Sequence, residues 1–180
     1  AVVADLEAEG YLVSETPYKH SVGHCYKCGT TIQPLLMDQW FIRVRPLADK
    51  AIATITSGNI TFHPENKGKV LLNYLKNLKD WNISRQIPWG IPVPAFQNID
   101  DPDDWIFDTR VNEETLEKDG KTYRRDPDTF DTWFSSGQWP YIVTKYHDSG
   151  ELAEFFPNSV METGHDILFQ WVARMIMLSA

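Results

Sequence analysis

Ser159–Leu178 reads SVMETGHDILFQWVARMIML. A short apolar run, Val160-Met161, leads to Thr163-Gly164, and Asp166 then opens a long hydrophobic helix. Within Ile167–Leu178 only Gln170 and Arg174 are polar, and they lie four apart on one narrow stripe. A helix apolar nearly all round is a buried helix. At 12 residues it is too short to span a bilayer. Strand, glycine turn and buried helix form the grammar of an open α/β sheet, in which ligands sit at the carboxyl ends of strands beside helix N-termini. Asp166 therefore has two readings: a carboxylate that accepts the hydroxyls of a ribose, or a plain N-cap.

The remaining sequence is compatible with this core. Its 180 residues suffice for a domain with a real interior, with 42% hydrophobic and 23% charged residues. Seven Trp and seven Tyr imply a large aromatic core or a stacking surface. The net charge of −8 is uneven, +2 over residues 1–96 and −10 over 97–180. That balance excludes a general nucleic-acid footprint and leaves room for a locally basic surface on the first half. No signal-peptide pattern and no membrane-length apolar run occur, and the two cysteines, Cys25 and Cys28, make no disulfide framework, so a cytoplasmic setting without a membrane partner is the expectation.

Ala1–Gly10 reads as the tail of an amphipathic helix, as though the chain were cut from something longer. Cys25-Tyr-Lys-Cys28-Gly29 is a C-x2-C turn of the zinc-knuckle kind, in which a tight turn aims both thiolates at one point. His20 and His24 are the available further ligands, His24 being poorly placed beside Cys25. The alternative is a reduced turn without metal. The two sulfurs should lie on one side in either case.

Trp40–Val44 alternates as a strand, with Trp40, Ile42 and Val44 on one face. Pro46 opens a helix stopped by Gly58, and Ile60–Phe62 reads as a short strand. Lys67–Trp81 repeats Val70, Leu71, Tyr74, Leu75 and Leu78 at helical spacing, with Lys69, Lys76 and Lys79 opposite. Those lysines form a solvated face or a phosphate-backbone contact. Arg85 sits among apolar neighbours and needs an anionic partner. Three prolines hold residues 88–94 extended. Residues 97–125 are acidic and weakly patterned, a surface insertion containing an Asp119-Gly120 hairpin with Thr122-Tyr123 as its return strand. Asp126-Pro127-Asp128 is a strong helix start, with Phe130, Trp133 and Phe134 on one face and Gly137 at the end. A loop, 140–157, then leads to the opening stretch.

Six of these pieces together resemble the class I aminoacyl-tRNA synthetases of the Val/Ile/Leu group, closest to the valyl branch. They are HSVGHCYKCGT (20–30), QWFIRV (39–44), DWNISRQ (80–86), WG-x-P-x-P (89–94), DTWFSSGQWP (131–140) and ETGHDILFQWVARMIM (162–177), in family order. Isoleucyl enzymes carry a different segment, Gly-x-Asp-Gln, in place of the last.

The resemblance implies an α/β fold: a partial Rossmann-type core whose second half begins near the C-terminus, with α+β connective elements and the CxxC turn. Residues 1–96 would be the return segment of the connective insertion, 97–125 an acidic surface insertion, and 126–180 the start of the second Rossmann half. It implies a ligase that activates valine with ATP and Mg2+ and transfers it to tRNA(Val), in concert with the remainder of the synthetase chain. Gly164 and Asp166 match residues that hold the adenylate ribose. Trp133, Ile167 and Trp171 match the wall of the valine pocket, and they should converge on one cavity. Cys25 and Cys28 match a possible Zn2+ site. Departures accompany the match: Ile91 where many relatives have His, and no Cys within 97–125 where zinc-binding relatives carry a second CxxC. His-x-Gly-His and Lys-Met-Ser-Lys-Ser are absent, so no catalytic residue is assigned and this stretch alone should be inactive. The competing reading, from another class, is a free-standing RNA-binding module built on the CxxC turn and the lysine-bearing helix.

Overall fold

The computed structural model describes residues 1–110, 113–144 and 152–180. The contacts divide the chain into two units, Ala1–Asp38 and Gln39–Ala180. The expected 97–125 insertion and 140–157 loop each fall partly outside the described residues, at 111–112 and 145–151.

In the first unit, helix α1 (Val2–Ala8) ends before Gly10, which takes φ +76°. The CxxC turn follows, bracketed by an antiparallel bridge between His24 and Thr31.

The second unit is a mixture of helices and small antiparallel sheets. Strand β1 (Phe41–Ile42) runs into helix α2 (Arg45–Thr56), which carries Pro46 in its first turn and stops at Ser57-Gly58, with Gly58 at φ +82°. Helix α3 is Asn66–Asn77. Strands β2 (Trp81–Asn82) and β3 (Ser84–Arg85) follow, then β4 (Ala95–Asn98), β5 (Trp105–Phe107), β6 (Thr115–Lys118), β7 (Lys121–Arg125) and β8 (Thr129–Phe130). Helices α4 (Thr132–Gly137) and α5 (Trp139–Thr144) precede α6 (Ala173–Ser179).

The buried-helix expectation for the final stretch holds. Leu168, Val172, Ala173 and Met177 pack with Ala48, Ala51 and Ile55 of α2 and Leu71 and Leu75 of α3 into the main core. The small residues Ala48, Ala51 and Ala173, all fully buried, let these helices approach closely.

A second core gathers Val44, Trp81 and Ile83 with Phe130, Trp133, Phe134 and Leu178 around them. Residues 80–86 make this possible by running as a ribbon between two partners. Ile42 pairs with Trp81 on one side, and Ser84 pairs with Phe130 on the other. Gly90 passes so near Thr129 that a Cβ there would lie 2.8 Å from the Thr129 Cβ.

The described residues of 97–125 are more regular than their composition suggests. Strands β5-β4-β7-β6 form one antiparallel sheet, with Phe96, Leu116 and Tyr123 buried on one face. Alternation carries the β6–β7 part of this layer, where buried Leu116 and Tyr123 stand between more exposed neighbours, and Glu117 is the one acidic residue within the four strands. The Asp119-Gly120 hairpin is present, with φ +52° and +75° at the two turn residues, the geometry of a type I′ turn.

Five local expectations are corrected. Ile60–Phe62 pairs with no strand among the described residues, and Ile60 and Phe62 instead pack individually against the main core. The helical pattern of Lys67–Trp81 ends at Asn77, because Leu78 turns extended and Trp81 is drawn into β2. Asp126 starts no helix: its carboxylate accepts from Asp128 N (2.8 Å) and Trp40 Nε1 (2.9 Å), while strand pairing claims Thr129-Phe130. The helix starts at Asp131 instead. Val160-Met161 forms no strand and Val160 is 88% exposed, because no neighbouring strand among the described residues offers it a ladder. Part of the expected 140–157 loop is helical, in α5 and in a 3-10 turn at Ala153–Phe155.

Asp104 links the edge of the four-stranded sheet. Its Oδ2 accepts from Lys121 Nζ (2.7 Å), Asn98 Nδ2 (2.9 Å) and Tyr123 OH (3.0 Å). Lys121 foremost, then Asn98 and Tyr123, hold its carboxyl down from 3.8 to about 2. A lowered folded-state value means that the stabilisation is complete above pH 3.8 and is lost as pH falls toward 2. Asp104→Asn should therefore melt below wild type at neutral pH, and the gap in melting temperature should close between those two pH values. A gap independent of pH would show that the charge contributes nothing.

Candidate functional site

The helix carrying the candidate residues begins irregularly. His165–Ile167 is a 3-10 turn with Gly164 as its N-cap, Leu168–Val172 is a π turn, and α6 continues from Ala173. A short π segment inside a helix is rare and occurs often at functional sites. Asp166 is the second residue of that helix, not its cap. It is exposed, and among the described residues its carboxylate has no hydrogen-bond or ion-pair partner. It leans back over Gly164, where a Cβ would lie 2.5 Å from Asp166 Oδ1. A side chain at 164 would displace the carboxylate, so the Gly164–Asp166 pair depends on the glycine.

Ile167 closes the 3-10 turn and is half-buried, as is Trp171 within the π turn. The Trp171 indole Nε1 reaches Ser136 O at 3.4 Å, which joins this turn to α4. At the same seam a Cβ on Gly137 would lie 3.6 Å from the Arg174 Cβ and 2.9 Å from Leu178 Cδ1. The two helices thus touch along Ser136-Gly137. Trp133, on the first turn of α4, is half-buried against the second core. The contact with Trp171 runs through Ser136.

Asp131, which the sequence offered only inside a motif, is the most heavily engaged carboxylate here. It is 4% exposed. Its Oδ1 caps α4 by accepting from Trp133 N (3.3 Å). Its Oδ2 accepts from Trp81 Nε1 (2.9 Å) and pairs with Arg85 Nη2 (3.1 Å) and, more loosely, Arg174 Nη1 (3.9 Å). The anion that Arg85 required is therefore Asp131. Arg174 also lies over the Trp81 ring, 4.2 Å from its centroid. Burial pulls the Arg174 guanidinium below its ordinary value, and the Asp131 charge opposes that shift. No spacing rule links residues 81, 85, 131 and 174, so only pairing of β3 with β8 could reveal this cluster.

Open grooves of about 530 Å³ and 460 Å³ flank α3. Lys69, Asn73 and the stacked Tyr74–Phe169 pair (4.5 Å) line the first, and Arg174 lines the second.

The cysteine turn forms as a tight knuckle. Gly29 N bonds to Cys25 O (2.8 Å), Cys25 N bonds to Thr30 O (2.8 Å), and Gly29 takes φ +73°. Cys28 Sγ lies 3.2 Å from Thr30 Oγ1, a contact in which the thiol donates and the thiolate accepts from the hydroxyl. The Thr30 side chain and backbone, and then Cys25 Sγ, lower the Cys28 thiol to about 7. The residues do not fit a closed zinc site, however. His24 Nδ1 is turned to Gly29 O (3.0 Å) and His20 stacks on Tyr18. Among the described residues no group of three or more His, Cys, Asp or Glu could hold a metal ion. The zinc expectation finds no support here: two thiols alone make half a tetrahedral site.

These residues lie in a chain that matches, over 1–180, the family model of the class I tRNA synthetases (I, L, M and V), and the chain belongs to that family. Curated relatives narrow the likeness. Valine–tRNA ligase of Petrotoga mobilis is 45% identical over 98% of this chain, and that of Thermotoga maritima 43% identical over 98%. That of Symbiobacterium thermophilum is 44% identical over 99%. The chain spans 20% of the length of each. Among the described residues no helix is long and apolar enough to cross a membrane.

Removing the Thr30 hydroxyl tests the cause assigned to the acidic thiol. In Thr30→Val the pH midpoint for alkylation of Cys28 should rise from about 7 toward 9.0, because the largest lowering contact is gone. A midpoint that stays near 7 would assign the shift to Cys25 and the backbone instead.

Proposed function

We propose that this chain is a segment of a valine–tRNA ligase that positions valine and the adenylate, within an enzyme that activates valine with ATP and Mg2+ and charges tRNA(Val). The observation that carries this is the end-to-end likeness to valine–tRNA ligases at 43–45% identity over 98% of the chain. In this reading residues 1–96 are the return segment of the connective insertion. Residues 97–125 are a surface layer, and 126–180 begin the second half of a Rossmann core whose parallel strands come from the remainder of the enzyme. Exposed Val160 and Met161 would join that sheet. The setting is cytoplasmic. The free-standing RNA-binding module is not favoured, since the likeness covers the CxxC turn, the lysine helix and the final helix together.

Trp133, Ile167 and Trp171 would form the apolar wall that receives the valine side chain. The contact of the Trp171 turn with α4 at Ser136 supports that grouping. A wall of this kind recognises shape and excludes water. It separates valine poorly from an isostere bearing a hydroxyl, a general limit of apolar pockets for which valyl enzymes are themselves the standard illustration. Gly164 and Asp166 would hold the ribose. Support comes from the exposed, unpartnered carboxylate, an acceptor-only group suited to two hydroxyls. Chemistry of this sort is mostly positioning and charge stabilisation, and this segment's share would be the positioning.

In the full-length enzyme, Asp166→Ala should lower valine-dependent ATP–pyrophosphate exchange by about 10- to 100-fold, the scale of losing a bidentate acceptor, with an unchanged melting temperature. Trp171→Ala should chiefly raise the KM for valine. If Asp166→Ala left exchange intact and lowered only the melting temperature, the ribose assignment would be wrong.

A further inference from the structure

Trp133 and Trp171 stand on different elements, and a pocket between them is only as well defined as the relation of those elements. One buried carboxylate reaches both. Asp131 fixes the first turn of α4 through the backbone N–H of Trp133. It also faces Arg174, which follows Trp171 by three residues on the same helix and bonds back to Gln170 O at 3.3 Å. Holding the Arg174 guanidinium therefore resists rotation of that helix about its axis. It thereby fixes the direction in which Trp171 projects.

The arrangement is electrostatically one-sided. Arg85 and Arg174 oppose one another as like charges, and Asp131 lies between them. Trp81 completes the enclosure: its indole N–H bonds the carboxylate and its ring face receives Arg174. Asn at 131, with a single acceptor oxygen, could keep only one of the hydrogen bonds to Trp81 Nε1 and Trp133 N. It could not offset two guanidinium charges, and Arg174, the more loosely paired, would be displaced.

We propose that Asp131 is a positioning residue for the valine pocket, setting the Trp133 wall through its cap and the Trp171 wall through Arg174. The inference rests on the pocket reading given above. Asp131 touches no reacting atom in this role. It acts on the distance and angle between two walls, so its loss should weaken valine recognition more than nucleotide recognition.

The test is valine-dependent ATP–pyrophosphate exchange in the full-length enzyme, with KM for valine and for ATP measured separately. Asp131→Asn should raise the valine KM about tenfold, the scale of a small misplacement of binding groups, and leave the ATP KM within about twofold. Arg174→Met leaves the cap intact and keeps the test open if Asp131→Asn does not fold. It should shift the valine KM in the same direction by less, and Arg174→Lys should recover part of the loss. The double variant should match Asp131→Asn within about twofold, because both changes break one contact. Valine and ATP KM rising in parallel, or a valine KM unchanged in both Asp131→Asn and Arg174→Met, would overturn the inference. Trp171→Ala separates the two failures. If it leaves the valine KM unchanged, the pocket reading itself falls. If it raises the KM while the Asp131 and Arg174 variants do not, only the positioning role falls.

Discussion

The apolar face of the last helix is the constraint on which the second unit depends. Leu168, Val172, Ala173 and Met177 form an apolar face that is costly to leave in water, so α2 and α3 must cover them. Each large side chain removed from water contributes roughly 1.5–3 kcal/mol, and no smaller term in this unit competes with the sum. Once α2 and α3 are docked, the segment beyond α3 has little freedom. Asp80 accepts from Val44 N at 3.1 Å, just before α2, and the chain is delivered to Trp81 at the border of the two cores.

At that border the packing problem changes from apolar to electrostatic. Asp131 is taken out of water, a change that is costly unless the charge is paired and its oxygens bonded. Both oxygens are used: Oδ1 by the α4 cap, Oδ2 by an indole N–H and two guanidinium groups. Such a cluster adds little net stability compared with an apolar replacement. It adds geometric definition, because each partner has one direction from which it can approach. Four stretches distant in sequence, around 81, 85, 131 and 174, are thereby held in one relation.

The sequence made the buried helix legible because apolar periodicity is a local signal, and it made the 119–120 hairpin legible because only certain residues tolerate its dihedrals. It was also sufficient for the need of Arg85 for an anion, though not for the anion's identity. Two Asp-led segments competed for the start of α4, and local rules favoured Asp126-Pro127. The pairing of Thr129-Phe130 with Ser84-Arg85 decided for Asp131, and that pairing is not encoded within either segment. Ile60–Phe62 and Val160-Met161 have strand-like residues without a strand to pair with among those described. Of the candidate site, the Gly164–Asp166 pair was visible as a motif, and Trp133 and Trp171 as members of two motifs. The seam at Ser136-Gly137 that joins their helices was not, because a close approach is a property of two surfaces.

The two Asp residues nearest the candidate pocket make the physical distinction between structure and function concrete. Asp131 is saturated: every oxygen has an internal partner, and its carboxylate has no capacity left for a ligand. Asp166 is exposed and unpartnered among the described residues, although a helix start would readily accept it as a cap. Gly164 takes the cap position in its place, and with no Cβ it lets the carboxylate lean back across the turn. A carboxylate consumed internally sets where neighbouring walls stand. One left with free lone pairs beside a helix start is available to bind hydroxyl groups. The motifs Asp-x-Trp and Gly-x-Asp each offer one carboxylate, and it is their surroundings that differ: internal partners around Asp131, none among the described residues at Asp166.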